Sequence, residues 1–361
     1  MGALSHVRGL HRFASSRMLR VAGMMLMGCC SVAFSRDPLP RAKPEPVPEP
    51  PPVYVEAPNP PANDFEVNMK RVFADDQLAD IRVTFGYEDA EDLKNPSDPA
   101  RALHLMQYLQ SHRFEMINPT EELAKELGVR LEAPNLRILQ VQGSIGQTLR
   151  ISLIWSAATS STPKNIGSGR KEQWICSDEA LKFMQKAASD AEIMFYIGHS
   201  RAGGGPDTFP PQTLPSNGGK FQQVDFGYYG NTQPGLAALS PYFGKNKDNP
   251  KFIALTGCRS DRHFHQWLAR RLAGHDFPTS VILSTRLTRS MPWENNIDGC
   301  DEALMVLVNL IETLQQHRTE SEFKGRMKSC EIEEMRESKD AWKLITIPEP
   351  DAGSLADKGK G

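Results

Sequence analysis

Phe195-Tyr196-Ile197-Gly198-His199-Ser200 and Phe252-Ile253-Ala254-Leu255-Thr256-Gly257-Cys258 decide how this chain reads. Each is a short apolar run closed by glycine and a reactive side chain. Runs of this kind read as strands buried on both faces of a parallel sheet. In open α/β sheets, ligands and catalytic groups gather just beyond the carboxyl ends of the strands. A histidine at one end and a cysteine at the other, on strands about 4.8 Å apart if they are neighbours, make a candidate base–nucleophile pair.

Working outward, strand-like and helix-like segments alternate. Residues 136–141 and 149–155 read as strands around Gly143-Ser144-Ile145-Gly146, a hairpin or bulged connection. Residues 159–170 read as a polar loop, and Ser177-Asp178-Glu179 as the cap of a helix carrying Leu181, Met184, Ala187 and Ala188. After the strand 193–198 come a long loop, a short helix near 234–242 and the strand 252–257. Helix 261–272, strand 281–285, helix 301–317 and a charged helix over 321–342 follow. Upstream, 80–85 alternates like a strand, while 99–112 and 119–127 have helical spacing. The predicted class is α/β, a mostly parallel, doubly wound sheet with flanking helices, within a globular region spanning 64–347.

The N-terminus reads as an export signal over 1–35. Arg8, Arg12, Arg17 and Arg20 precede a short apolar core at 21–28, too short to span a bilayer. Leu26-Met27-Gly28-Cys29 resembles a bacterial lipobox, with Cys29 the lipidated residue, while Ala33-Phe34-Ser35 fits ordinary cleavage. Residues 36–63, rich in Pro and Glu, favour extended polyproline II and read as a tether. Residues 348–361 read as a disordered tail. The expected location is therefore the cell envelope, by a membrane lipid anchor or by secretion.

The net charge of the 361 residues is -2, with no basic field to suggest nucleic acid. No Walker-type loop or GxGxxG motif follows a strand, so no nucleotide cofactor is implied, and no metal either. His263 and His265 fall on a helical stretch, where i and i+2 point apart. Four cysteines, Cys176, Cys258, Cys300 and Cys330, follow the signal and allow three complete disulfide pairings in an oxidising compartment.

Thiolate is the nucleophilic form of cysteine, and helix N-termini and cations favour it. Cys258 precedes a helix that Ser260 or Asp261 is placed to cap, with Arg259 and Arg262 beside it. His199 and Cys258 lie 59 residues apart, and this pairing resembles the caspase-like cysteine peptidases, the group of caspases, metacaspases, clostripain and gingipains. In that family one strand ends in the histidine and the next, about fifty residues on, in the cysteine. The resemblance covers roughly 136–316 and implies a three-layer sandwich. It makes His199 the general base, Cys258 the nucleophile, and Ser200 and Gly257 the flanks of an oxyanion site. Ser200 stands where that family usually has glycine. The implied substrate is a peptide or protein.

Two further readings stay open. Gly198-His199-Ser200-Arg201-Ala202 imitates the nucleophile elbow of serine hydrolases, although Gly203-Gly204-Gly205-Pro206 cannot supply the helix that the elbow needs. Alternatively, the chain is a catalytically silent envelope domain that binds a partner protein. The loop over 201–229 is long and rich in Gly, Pro and aromatics, as binding loops are. Arg201, Asp207 and Trp155 are candidate substrate-binding residues, and Asn295-Asn296-Ile297-Asp298 lies on the same predicted rim.

Overall fold

The computed structural model describes residues 63–88, 97–143, 146–214, 223–288, 301–330 and 340–347. The chain divides between Ala57 and Pro58, and every described residue lies on the C-terminal side. The signal, Cys29, almost all of the tether, the tail, Cys300 and 295–298 lie outside the described residues.

Eight strands form one sheet: β1 (Leu78–Phe85), β2 (Glu115–Ile117), β3 (Leu136–Gln142), β4 (Thr148–Trp155), β5 (Ile193–Ile197), β6 (Phe252–Leu255), β7 (Thr279–Ser284) and β8 (Trp342–Ile347). Their order is β2-β3-β4-β1-β5-β6-β7-β8. The middle five, β4 to β7, pair in parallel. The flanks β2-β3-β4 and β7-β8 are antiparallel. The expected α/β class, with a mostly parallel sheet and flanking helices, is what the chain adopts.

The helices are α1 (Asp64–Arg71), α2 (Asp98–Ser111), α3 (Glu121–Leu127), α4 (Thr162–Ile166), α5 (Arg170–Asp190), α6 (Phe226–Thr232), α7 (Pro234–Leu239), α8 (Ser260–Leu272), α9 (Glu302–Gln316) and α10 (Glu320–Met327). They cover both faces, because alternate strand residues enter different cores. Ile193, Phe195 and Ile197 of β5 join α1, α2, α9 and α10 on one side. Met194 and Tyr196 join α5, α7 and α8 on the other. Such two-sided burial explains why these strands read as continuous apolar runs.

Three local expectations are corrected. Ser177 does not cap α5, which begins at Arg170. Ser177 is buried within it and accepts the Gln173 side-chain N–H at 2.9 Å. The 159–170 segment contains α4, started by Pro163 in its first turn. Trp342 opens a strand, not the end of a helix: α10 stops at Met327, and β8 pairs along β7 from Ser284↔Trp342 to Thr279↔Ile347.

Candidate functional site

Register brings the two reactive strand ends together. β5 and β6 pair from Ile193↔Phe252 to Tyr196↔Leu255, a constant offset of 59. His199 and Cys258, each three residues past the last paired position, are separated by the same offset. The Thr256 N–H continues the ladder, donating to the Tyr196 carbonyl at 3.0 Å. Gly257 then lies against the histidine segment, where a Cβ would be 2.9 Å from the Ser200 nitrogen and 3.0 Å from the Gly198 oxygen. The Ser200 hydroxyl donates to the Cys258 carbonyl at 2.6 Å. Ser200 and Gly257 therefore fasten one strand end to the other.

Cys258 is half-buried and a free thiol, whereas Cys176 is a buried one. Burial pushes the Cys176 thiol up to about 11, so it is inert beside an accessible one. The Cys258 Sγ lies 3.7 Å from the Thr288 hydroxyl. The helix after it starts differently from the expected cap. Arg259 occupies the N-cap at φ 50° and makes no side-chain capping bond. Its N–H donates to the Arg286 carbonyl at 2.8 Å. Ser260 is the first residue of α8, and its hydroxyl accepts the Ser284 N–H at 2.7 Å, which ties the turn to β7. Cys258 remains just ahead of a 13-residue helix, on the side where the macrodipole is positive.

The strand order adds a residue that the sequence reading missed. In the parallel run β4-β1-β5-β6-β7 the order of winding reverses at β1, so the crevice between β1 and β5 is the topological switch point. Just past β1, Glu88 Oε1 is 3.8 Å from Nε2 of His199, whose side chain is 37% exposed. Glu88 Oε2 meets Arg101 Nη1 at 3.2 Å. Arg101 also makes two bonds to Asp301, at 2.7 and 3.0 Å. Asp301 caps α9 through the N–H groups of Ala303 and Leu304. Beside them, the buried Asp98 accepts the Ser156 and Ala157 N–H groups at 2.8 and 2.7 Å. Burial pushes its carboxyl well above the usual range. Glu88 follows a strand-like run, as His199 does, but it opens an acidic stretch with the composition of a solvated loop, which hid it.

Arg201 and Asp207 meet each other. Arg201 Nε lies 3.3 Å from the Asp207 carboxylate, which also accepts the Tyr229 hydroxyl at 3.0 Å and the Phe209 N–H at 3.2 Å. Burial raises the Asp207 carboxyl, with Arg201 opposing. The Asp207 N–H donates to the Tyr196 hydroxyl at 2.9 Å, and that hydroxyl donates to the His199 carbonyl at 3.1 Å. Asp207 thus braces the loop that carries His199. Trp155 is not brought to the dyad. It ends β4, with β1 between it and β5, and its ring packs 5.2 Å from the Arg137 guanidinium. His263 and His265 lie on α8 as expected.

Next to the bracing loop is a cleft of about 700 Å³, lined among others by Ile166, Trp174, Phe209, Tyr228 and Tyr229. His199 and Cys258 do not line it. Among the described residues, no group of three His, Cys, Asp or Glu side chains could hold a metal ion, and no helix is long and apolar enough to cross a membrane. No model of a protein family, no curated protein and no solved structure matches this chain.

Proposed function

We propose that this chain is a caspase-like cysteine endopeptidase with a His199/Cys258 dyad, exported and anchored in the cell envelope through Cys29. One observation carries the reading: the shared register and close approach of two parallel strand ends, one bearing an imidazole and the other a free thiol. A peptide carbonyl at this mouth is attacked by the Cys258 thiolate, whose proton has passed to His199. The C–N bond breaks as His199 protonates the leaving amine. Water then cleaves the thioester, giving up its proton to His199 and releasing a carboxylate with the free thiol. The N–H groups near Gly257 and Cys258, at the head of α8, are the candidate oxyanion donors.

No comparable observation favours Ser200 as nucleophile. It is buried, its proton is committed to the Cys258 carbonyl, and only a single 3-10 turn, Arg201–Gly203, follows it. The test is labelling with a tagged acyloxymethyl ketone, read by peptide mass spectrometry. Labelling at Cys258 that disappears in His199→Ala supports the peptidase. Labelling of Ser200 by a fluorophosphonate, or silence toward both probes, overturns it in favour of the esterase or the silent domain.

A further inference from the structure

We propose that Glu88 is the positioning residue for His199, a carboxylate at the end of β1 that holds the imidazole across the switch-point crevice and stabilises its protonated form. The role presupposes the dyad read above. β1 and β5 are paired neighbours in register to Phe85↔Ile197, so the residues just beyond them face one another. The Gly86 N–H donates to the Ile197 carbonyl at 2.8 Å, and the Tyr87 N–H to the Asp207 carbonyl at 3.0 Å. The Glu88 backbone is therefore pinned to the histidine loop one residue before its side chain is needed. The 3.8 Å gap to His199 is within ion-pair range and longer than a hydrogen bond. Catalytic hydrogen bonds are often long before substrate arrives and tighten in the complex.

The carboxylate is itself held from behind. Arg101 grips it, Asp301 grips Arg101 twice, and Asp301 is fixed by the first turn of α9. Supporting contacts of this kind orient a functional group before it acts. Glu88 and Asp301 both pair with the Arg101 guanidinium in a largely buried cluster. The His199 ring is a further basic group within ion-pair range of Glu88, at 3.8 Å. Arg201 is neutralised by Asp207 and Arg286 by Glu302, while Asp98, also beside Arg101, resists ionisation through burial. Arg259, at the N-cap of α8, and the Cys258 thiol lie beyond the end of β6.

The test compares Glu88→Gln and Glu88→Asp in the full chain. With Glu88→Gln, the His199 ring, followed by NMR, titrates at a lower pH than in wild type. Iodoacetamide alkylation of Cys258 at pH 6.5, read by peptide mass spectrometry, slows about tenfold, the effect of losing one opposite charge nearby. Glu88→Asp keeps the charge and restores part of both readouts. A His199 titration unmoved in folded Glu88→Gln overturns the proposal. If Glu88→Gln fails to fold, Glu88→Ala takes its place, and a folded Glu88→Ala whose His199 titrates like wild type overturns the proposal. The dyad is judged separately: wild-type Cys258 alkylation that His199→Ala leaves unchanged sinks the dyad, whereas the NMR titration reads Glu88 against His199 without reference to the thiol.

Discussion

A methyl group at position 257 would meet the Ser200 nitrogen at 2.9 Å, and what it meets is backbone that cannot swing aside. Gly257→Ala is therefore expected to cost about 1–3 kcal/mol as an overpacked contact, measured by urea unfolding, and to abolish probe labelling of Cys258 by parting the strand ends. Ser200→Ala removes the 2.6 Å bond to the Cys258 carbonyl at a cost of about 1–2 kcal/mol. Labelling of Cys258 should survive it, and its loss would return Ser200 to a chemical role. His199 and Cys258 were legible because a strand end is marked by the change from apolar run to turn-former. Glu88 was not, since Glu88-Asp89-Ala90-Glu91-Asp92 has the composition of a solvated loop. Only the partner strand gives one of those acids a purpose. Asp207 was noticed, but its engagement by Arg201 and Tyr229 depends on how the loop folds back, which composition does not reveal.

At the level of elements, α9 is the most telling. Its apolar residues are buried almost all round, and Asp301 caps it with two N–H groups while holding Arg101. Asp301→Ala removes a cap, worth about 1 kcal/mol, and strips a buried guanidinium of its main partner. The expected total is about 3 kcal/mol or more in chemical denaturation, with slower alkylation of Cys258 as Glu88 loses its anchor. The start of α9 was readable from Asp301 ahead of a periodic apolar run. The start of α5 was not. Gln173 and Ser177 resemble cap and loop residues, yet Gln173 is drawn into the helix by bonds to the Ser156 carbonyl and the Ala158 N–H. β8 was hidden because its six residues follow a charged stretch and gain their strand character only by pairing with β7.

Across the whole molecule, the end of the sheet opposite the dyad carries its own titration. Glu192, just before β5, accepts the Asp80 N–H at 3.0 Å and pairs with Lys251 at 3.2 Å. Burial nevertheless pushes its carboxyl from 4.5 up to about 7. The native state thus holds this proton more tightly than the unfolded chain does. The stabilisation is complete below about pH 4.5 and is lost as pH climbs through about 7, a total of at most about 3 kcal/mol. Thermal unfolding of wild type against Glu192→Gln between pH 5 and 8 should isolate it, with wild type losing ground as pH rises. A parallel course for the two proteins would refute it. The fold class was readable at this scale because two-sided burial leaves continuous apolar runs. The β3–β4 pairing was readable as a hairpin around Gly143-Ser144-Ile145-Gly146, but the antiparallel pairings of β2 and β8 were not, because pairing direction leaves little trace in single strands.

The place of β5 and β6 in the sheet has a last consequence. Four strands, β1, β4, β3 and β2, shelter the pair on one side, while β7 and β8 shelter it on the other. Native-state fraying starts from margins with few neighbours and reaches the centre last. Amide protons of β2 should exchange with deuterium early, and those of Phe195 and Ala254 only when the entire domain melts. Heating would then spare reactivity at Cys258 until cooperative collapse, so that inactivation and melting curves superimpose.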